Sequence, residues 1–265
     1  MVLVQVLGIV AVASAIAVIM ISLQDRAIRQ TLAARDRLQA EALALAGETS
    51  VLVAFRRDGE IHPYADHYGE AWYAVSQVPV NIGGGRFSVT IRDAQAKFNL
   101  NRLASGASDR VIFNRIASAA GLAAEAGDRI SAGLAGGIEL TGPGDLVAFG
   151  FTSEEIAALA PSVTVLPRWS ELNLSTAEPE LVRAVLANPA TASEFIAGRE
   201  SQNGADPAGG GTGILLPPGT GLVTRHLEVA IVVETGDATV RLTSLISREP
   251  GRDGVEARAV TRRWD

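Results

Sequence analysis

Hydrophobic patterning divides the chain into three regimes. Residues 1–24, MVLVQVLGIVAVASAIAVIMISLQ, carry no charged side chain, and Gln5 is the one strongly polar residue inside the run. At ~1.5 Å per residue a helix of this length reaches roughly 36 Å, enough for a hydrocarbon core of about 30 Å. Lipid offers no water to backbone amides, so such a segment is a helix. The run exceeds the ~7–15 apolar residues of a signal peptide and has no basic stretch before it, so it reads as a retained membrane anchor. Residues 25–56 contain no proline and only Gly47, and are rich in the helix formers Ala, Leu, Arg and Gln. Ile28, Leu32, Leu38, Ala42, Leu45, Ala46 and Leu52 recur close to a helical stripe, which predicts that one helix runs on out of the membrane.

The second regime has strand periodicity. After a polar loop at 57–70, residues 72–80 form a β-prone run interrupted by Pro79, which suits an edge strand. Gly83-Gly84-Gly85 then turns into Arg86–Arg92, where Phe87, Val89 and Ile91 alternate with polar residues, as in a strand with one buried face. The same regime returns at the C-terminus. Residues 222–234 read as a well-buried strand, Thr235-Gly236-Asp237 as a hairpin turn, and 238–248 as its return. Residues 255–264 are more charged and fit an edge.

Between these strands lies the third regime, helical for about a hundred residues from Asn101. Helices are expected over 109–126, from an N-cap at Ser153 followed by Glu154 and Glu155, and over 176–187 and 190–200, with Pro161, Pro167, Pro179 and Pro189 between them. Residues 203–221 form a Gly/Pro linker back to the sheet. The expected fold is α+β: a long N-terminal helix, membrane-spanning in its first half, packed on an antiparallel sheet interrupted by an all-α insertion. In domain terms, 1–24 is transmembrane and 25–56 is the soluble part of the same helix. Residues 57–102 begin the sheet domain, 103–213 are the insertion, and 214–265 complete the sheet.

Chemistry narrows the function classes. Basic residues number 23 against 29 acidic, a net charge of −6, which argues against a nucleic-acid surface. There is no cysteine, so disulfides and thiolate catalysis are excluded. His62, Asp66, His67 and Glu70 could be drawn as a metal cluster, but their spacing matches no common zinc pattern and a solvated loop is the reading taken. The glycine runs lack the Lys-Ser/Thr of a phosphate loop. No Ser/His/Asp constellation stands out, so no enzyme is expected and no catalytic or cofactor residue is assigned. Arg26, Arg29, Arg35 and Arg37 follow the anchor, and the positive-inside rule would place the body in the cytoplasm.

A half-lipid helix followed by a small antiparallel sheet resembles a type IV pilin or pseudopilin. Within that group, Asp93-Ala94-Gln95-Ala96-Lys97-Phe98-Asn99-Leu100-Asn101 resembles the D-x-x-G-x-[FI]-N-[LIV]-N signature of the general secretion pathway protein K family, the large minor pseudopilins of the type II secretion system. Gly144-Asp145-Leu146, the stretch Val163-Thr164-Val165-Leu166-Pro167 and Leu172-Asn173-Leu174-Ser175-Thr176-Ala177 match further family segments in order, and Trp264 fits a terminal R-x-W strand. The resemblance implies a non-catalytic tip subunit of the pseudopilus serving export of folded proteins across the outer membrane. It implies an inner-membrane, single-pass location with a periplasmic body, N-terminal methylation, and partnership with the I- and J-type minor pseudopilins, the major pseudopilin and the inner-membrane secretion platform. The assembly and motif residues carried over are Gln5, Asp93, Phe98, Asn99, Asn101, Asn173, Thr176, Ala177 and Trp264. Family members are made with a short basic leader that a prepilin peptidase removes; restoring one before this sequence would reverse the orientation inferred from Arg26–Arg37. Protein K lacks the usual glutamate at mature position five, and Gln5 fits that exception. The family's insertion carries an acidic run associated with calcium, but Asp128-Arg129-Ile130-Ser131-Ala132-Gly133-Leu134-Ala135-Gly136-Gly137 keeps almost none of it. Calcium needs about six to eight oxygen ligands, so no calcium site is expected there. The alternative reading is a membrane-anchored nucleic-acid binder, because residues 172–199 resemble half of a helix-hairpin-helix module; its turn is Ala187-Asn188-Pro189 rather than G-x-G.

Overall fold

The computed structural model describes all residues except 83, 84, 105, 124, 139, 168, 202–213 and 253. The first two glycines of the triple-glycine turn and most of the Gly/Pro linker therefore lie outside the described residues.

Helix α1 spans Val2–Ile61 without a break, several residues beyond the expected end near position 56. The described residues of its first half are exposed, and the helix is long and apolar enough to cross a membrane. Contact with the sheet begins at Asp36, whose carboxylate sits where a Cβ on Gly236 would lie. From there the buried face is Ala40, Ala44, Gly47, Val51 and Phe55, with Glu48 and Asp58 beside it. This differs from the stripe expected from sequence: Ile28, Leu32, Leu38 and Leu45 are exposed, as is Ala42. Ile28 and Leu32 lie before the helix reaches the sheet, and for Leu38 and Leu45 the reason is steric. A helix laid close on a sheet needs small residues at the seam, and a Cβ on Gly47 would stand 2.6 Å from the Phe87 ring. Leu38 and Leu45 are left on the outside, while Val51, Leu52 and Phe55 pack inward further along.

The 57–70 stretch is not the solvated loop expected. α1 consumes its start, and Asp66 and Glu70 are buried. Helix α2 (Ala71–Ala74) follows where a strand was anticipated, because Trp72 turns inward to cap the end of α1. Its ring meets Phe55 edge-on at 6.2 Å, and Tyr68 and Tyr73 close around it.

Strands β1 (Gln77–Ile82) and β2 (Gly85–Asp93) form the first hairpin. The chain then enters the insertion: β3 (Phe98–Asn99), α3 (Ala107–Ala119), α4 (Ala126–Ala135), α5 (Ser153–Leu159), β4 (Val163–Thr164), β5 (Leu172–Asn173), α6 (Pro179–Leu186), α7 (Pro189–Ser201) and β6 (Thr220–Gly221). The helix expected over 109–126 is thus two, parted near Gly121 at φ +80°. The N-cap of α5 is Thr152, one residue earlier than expected, in a reciprocal box with Glu155. The insertion is not purely helical: β3 pairs with β4, and β5 with β6, each parallel over two residues.

Strands β7 (His226–Thr235), β8 (Ala238–Gly251) and β9 (Gly254–Trp264) complete a five-stranded antiparallel sheet in the order β1-β2-β7-β8-β9. The Pro79 strand and the charged strand are its two edges, as their sequences suggested. β2 and β7 are unbroken neighbours, from Gly85 opposite Thr235 to Asp93 opposite Leu227. The whole insertion therefore leaves and re-enters through the mouth of one strand pair.

Two apolar cores result. One holds α1 and α2 against Val89, Ile91, Leu227, Val229, Ile231, Val233, Val240, Leu242 and Ile246. The other lies inside the insertion around Phe98, Phe113, Ile130, Leu146, Leu174 and Phe195.

Candidate functional site

Four of the residues singled out from sequence, Asp93, Asn173, Thr176 and Ala177, converge where the insertion joins the sheet, and Phe98, Asn99 and Asn101 lie just inside the insertion. Asp93 ends β2 and is wholly enclosed. Its Oδ1 accepts the Gln95 amide at 2.7 Å, and its Oδ2 accepts Asn173 Nδ2 at 2.9 Å and the hydroxyls of Thr176 and Thr224. Burial pushes this carboxyl above its ordinary range, while the hydrogen bonds from Thr176, Thr224, Gln95 and Asn173 pull against that. Asn173 also donates to the Asp66 carbonyl at 3.1 Å and accepts the Ser175 amide at 2.9 Å. Ala177 is buried and its amide reaches Asn173 O at 3.1 Å, so the turn into α6 is fastened to the end of β2.

Asn99 and Asn101 do the same work one step further into the insertion. Asn99 donates to Pro167 O at 2.8 Å and accepts the Leu166 amide at 3.0 Å. Asn101 donates to Leu166 O at 3.0 Å and Leu140 O at 3.3 Å. An Asn side chain presents one acceptor and two donors, so it can substitute for a strand partner where backbone segments meet without a ladder. Phe98 packs on Phe113 at 5.7 Å between ring centres, and anchors the second core.

Sequence reading missed a charged hub beside this network. Arg248, 5% exposed, lies at the end of the inward-facing phase of β8. Its Nη2 donates to both Asp66 oxygens at 2.7 and 2.6 Å and to Thr224 O at 2.8 Å, and Nη1 donates to Phe55 O at 3.2 Å. The guanidinium stacks 4.2 Å over the Phe55 ring, and Gly59 leaves it room, since a Cβ there would meet Arg248 Cδ at 2.8 Å. Burial pushes the Asp66 carboxyl up to about 7, opposed by Arg248 and the Thr224 amide. The available signal was an arginine in the buried phase of an apolar strand, with a glycine opposite in the helix. Nearer the N-terminal end of α1, Glu48, 2% exposed, accepts Ser244 Oγ and binds Arg262 Nη2 of β9 at 2.7 Å, tying α1 to the sheet's far side.

The remaining residues stand apart. Gln5 lies on the bare half of α1, beside Gly8 and Val12. Trp264 ends β9 opposite Leu242 and is 41% exposed. Asp128, in the region aligned with the family's calcium run, faces Arg110 at 3.6 Å. Ser170 Oγ and Gln95 Oε1 both approach Nδ1 of His226, at 3.5 and 3.2 Å, so no relay runs across that ring. Burial lowers its pKa to about 4. At the α6–α7 turn Asn188 caps the amides of Ala190 and Thr191, and Arg199 is spent on Leu174 O and Ala177 O.

No protein-family profile matches the sequence, and no curated protein matches it. Among solved structures, a chain of the GspK-GspI-GspJ complex from the type 2 secretion system of enterotoxigenic Escherichia coli superposes with a TM-score of 0.67. Identity is 18%, over 89% of this chain and 99% of that chain. The two share a fold, and this chain's long N-terminal apolar helix, antiparallel sheet and further helices are consistent with a pseudopilin fold.

Proposed function

We propose that this chain is a minor pseudopilin, a structural subunit of a type II secretion pseudopilus. The observation that carries the reading is the division of α1. Its second half is committed to the sheet, whereas its first half and the outward residues Ile28, Leu32 and Leu38 are apolar and uncovered. Such a surface is stable in lipid or against other helices. The shared fold supports this reading, as does the order of family motifs meeting at the insertion's mouth. In this role the chain is held in the bacterial inner membrane by α1, with its body in the periplasm. It assembles with the I- and J-type minor pseudopilins, the major pseudopilin and the secretion platform, and acts without catalysis.

A tip position suits the residues present. Gln5 has no carboxylate for a neighbouring N-terminal amine, and a bulky insertion is best accommodated where no subunit stacks above. Gold labelling of an epitope on the chain in isolated pseudopili tests this. Label at one end of each fibre is expected, together with recovery of the I- and J-type subunits on affinity purification. Label spread along the fibre overturns the tip role, and failure to recover any pseudopilin overturns the subunit reading.

A further inference from the structure

We propose that the last turn of α1 and the turn before α2 hold a divalent metal of the zinc class, ligated by Asp58, His62 and Glu70. Asp58 and His62 stand one helical turn apart on the same face, with Oδ1 and Nδ1 3.2 Å from each other. Glu70 completes the set, and the three ligating atoms lie within 4.8 Å of one another. Zinc bonds of about 2.0–2.2 Å separate neighbouring ligands of a tetrahedron by roughly 3.3–3.5 Å. The Asp58–His62 pair is already near that spacing, and the Glu70 atom, within 4.8 Å of both, has only to be approached by the exposed His62 side chain.

The surroundings are those of a ligand set rather than a plain hydrogen bond. Glu70 is 6% exposed, and its Oε2 is fixed by Trp72 Nε1 at 2.8 Å and the His67 amide at 3.0 Å. Its Oε1 accepts no hydrogen bond among the described residues; the nearest cationic group is His67 Nε2 at 3.7 Å. Asp58 is steadied from behind by Arg248 Nη1 at 3.5 Å. Partners that orient ligands in this way characterise metal sites. Charge points the same way. Asp58 and Glu70 are both buried carboxylates, and the buried guanidinium beside them is engaged chiefly by Asp66, so a divalent ion would meet two acidic ligands with little competing cation. A pocket of about 600 Å³ beside Val53, Ala54 and Ile61 opens on Asp58 and His62, giving an entry path and a place for a fourth, water ligand. The imidazole nitrogen selects zinc over calcium, which takes oxygen ligands. The bound ion would tie the end of α1 to α2 and seal the Phe55–Trp72 cluster. None of this depends on the pseudopilin reading.

The test uses the tag-free full chain in detergent micelles, stripped with EDTA and titrated with zinc chloride by calorimetry, followed by X-ray absorption. One saturable zinc per chain is expected, with one imidazole nitrogen in its first shell and no competition from calcium. His62→Gln and Glu70→Gln are each expected to weaken binding at least tenfold. Both leave the fold intact on circular dichroism, because His62 is half exposed and glutamine keeps an acceptor for Trp72. No saturable binding in the unaltered chain, a first shell without imidazole, or affinity unchanged in both variants overturns the proposal.

Discussion

The two junctions of this molecule are built from opposite materials. Where α1 meets the sheet, the seam is mainly apolar and close, made by Ala40, Ala44, Gly47, Val51 and Phe55, with the ion pairs of Glu48 and Asp58 along its margin. Where the insertion meets the sheet, the contact is polar and enclosed: Asp93, Asn99, Asn101, Asn173 and Thr176 satisfy backbone groups that no ladder reaches. The difference follows from what each must fix. Apolar burial is roughly proportional to area and indifferent to direction, so it suffices to lay a helix on a sheet. A long segment leaving and returning through one strand pair needs its angle set, and hydrogen bonds set angles.

The largest expected effect lies at the hub beside the polar junction. Arg248→Met leaves Asp66 buried without its partner and is expected to cost about 3–5 kcal/mol in denaturant unfolding. A cost below about 1 kcal/mol would show the hub to be dispensable. Next, Asn173→Ala orphans groups around Asp93 and should cost about 1–3 kcal/mol. Hydrogen exchange should then rise in the insertion ahead of the α1–sheet seam; equal acceleration in both would break the distinction between junctions.

The junctions also differ in pH response, since titrating groups with shifted values cluster at the polar one. Asp66 has a folded value raised to about 7 from 3.8, so the unfolded chain binds fewer protons between them. Stability from this group is full below the unfolded value and lost as pH rises through about 7. Asp93 is raised too and acts in the same direction. His226, lowered to about 4 from 6.5, opposes them by withdrawing stability as pH falls below 6.5. Unfolding midpoints should therefore decline from pH 6.5 to 8, and Asp66→Asn should flatten the decline. A profile identical in the variant would remove Asp66 from the account.

Smaller effects probe the apolar seam and the insertion's turn. Gly47→Ala drives a methyl into Phe87, and that crowding outweighs the helix propensity gained, for a net loss of about 1 kcal/mol. Ala187 has a φ of +57°, which an L side chain seldom adopts, so Ala187→Gly should stabilise the α6–α7 turn by up to about 1 kcal/mol. Thermal unfolding reads both.

Much of the fold was legible because two-residue alternation is hard to mistake: β2, β7 and β8 lie where it ran, and both edges were marked by Pro79 and by charge. The seam of α1 is not legible in the periodicity, because large residues such as Leu38 and Leu45 fit a helical stripe whereas close approach selects Ala and Gly, and nothing local marks where the helix first meets the sheet. Trp72 was read as a strand residue, since an aromatic that caps a helix end has no local signature. Asp93, Asn99, Asn101, Asn173 and Thr176 could be picked out as a motif, but their meeting at one junction could not, because residues 93 and 173 are brought together only by the fold. Asp58 and Arg248 belong to no motif, and Asp66 stands in the sequence only in a His/Asp/Glu cluster read as a solvated loop.

The central claim is that this body and its half-bare helix serve a secretion fibre. Deleting the gene in its native host and assaying the culture medium for exported proteins tests it most directly. The account predicts that type II export is lost and returns with the unaltered chain, but not with one carrying charged residues in place of Val10 and Ile16. Export unchanged by the deletion would contradict it.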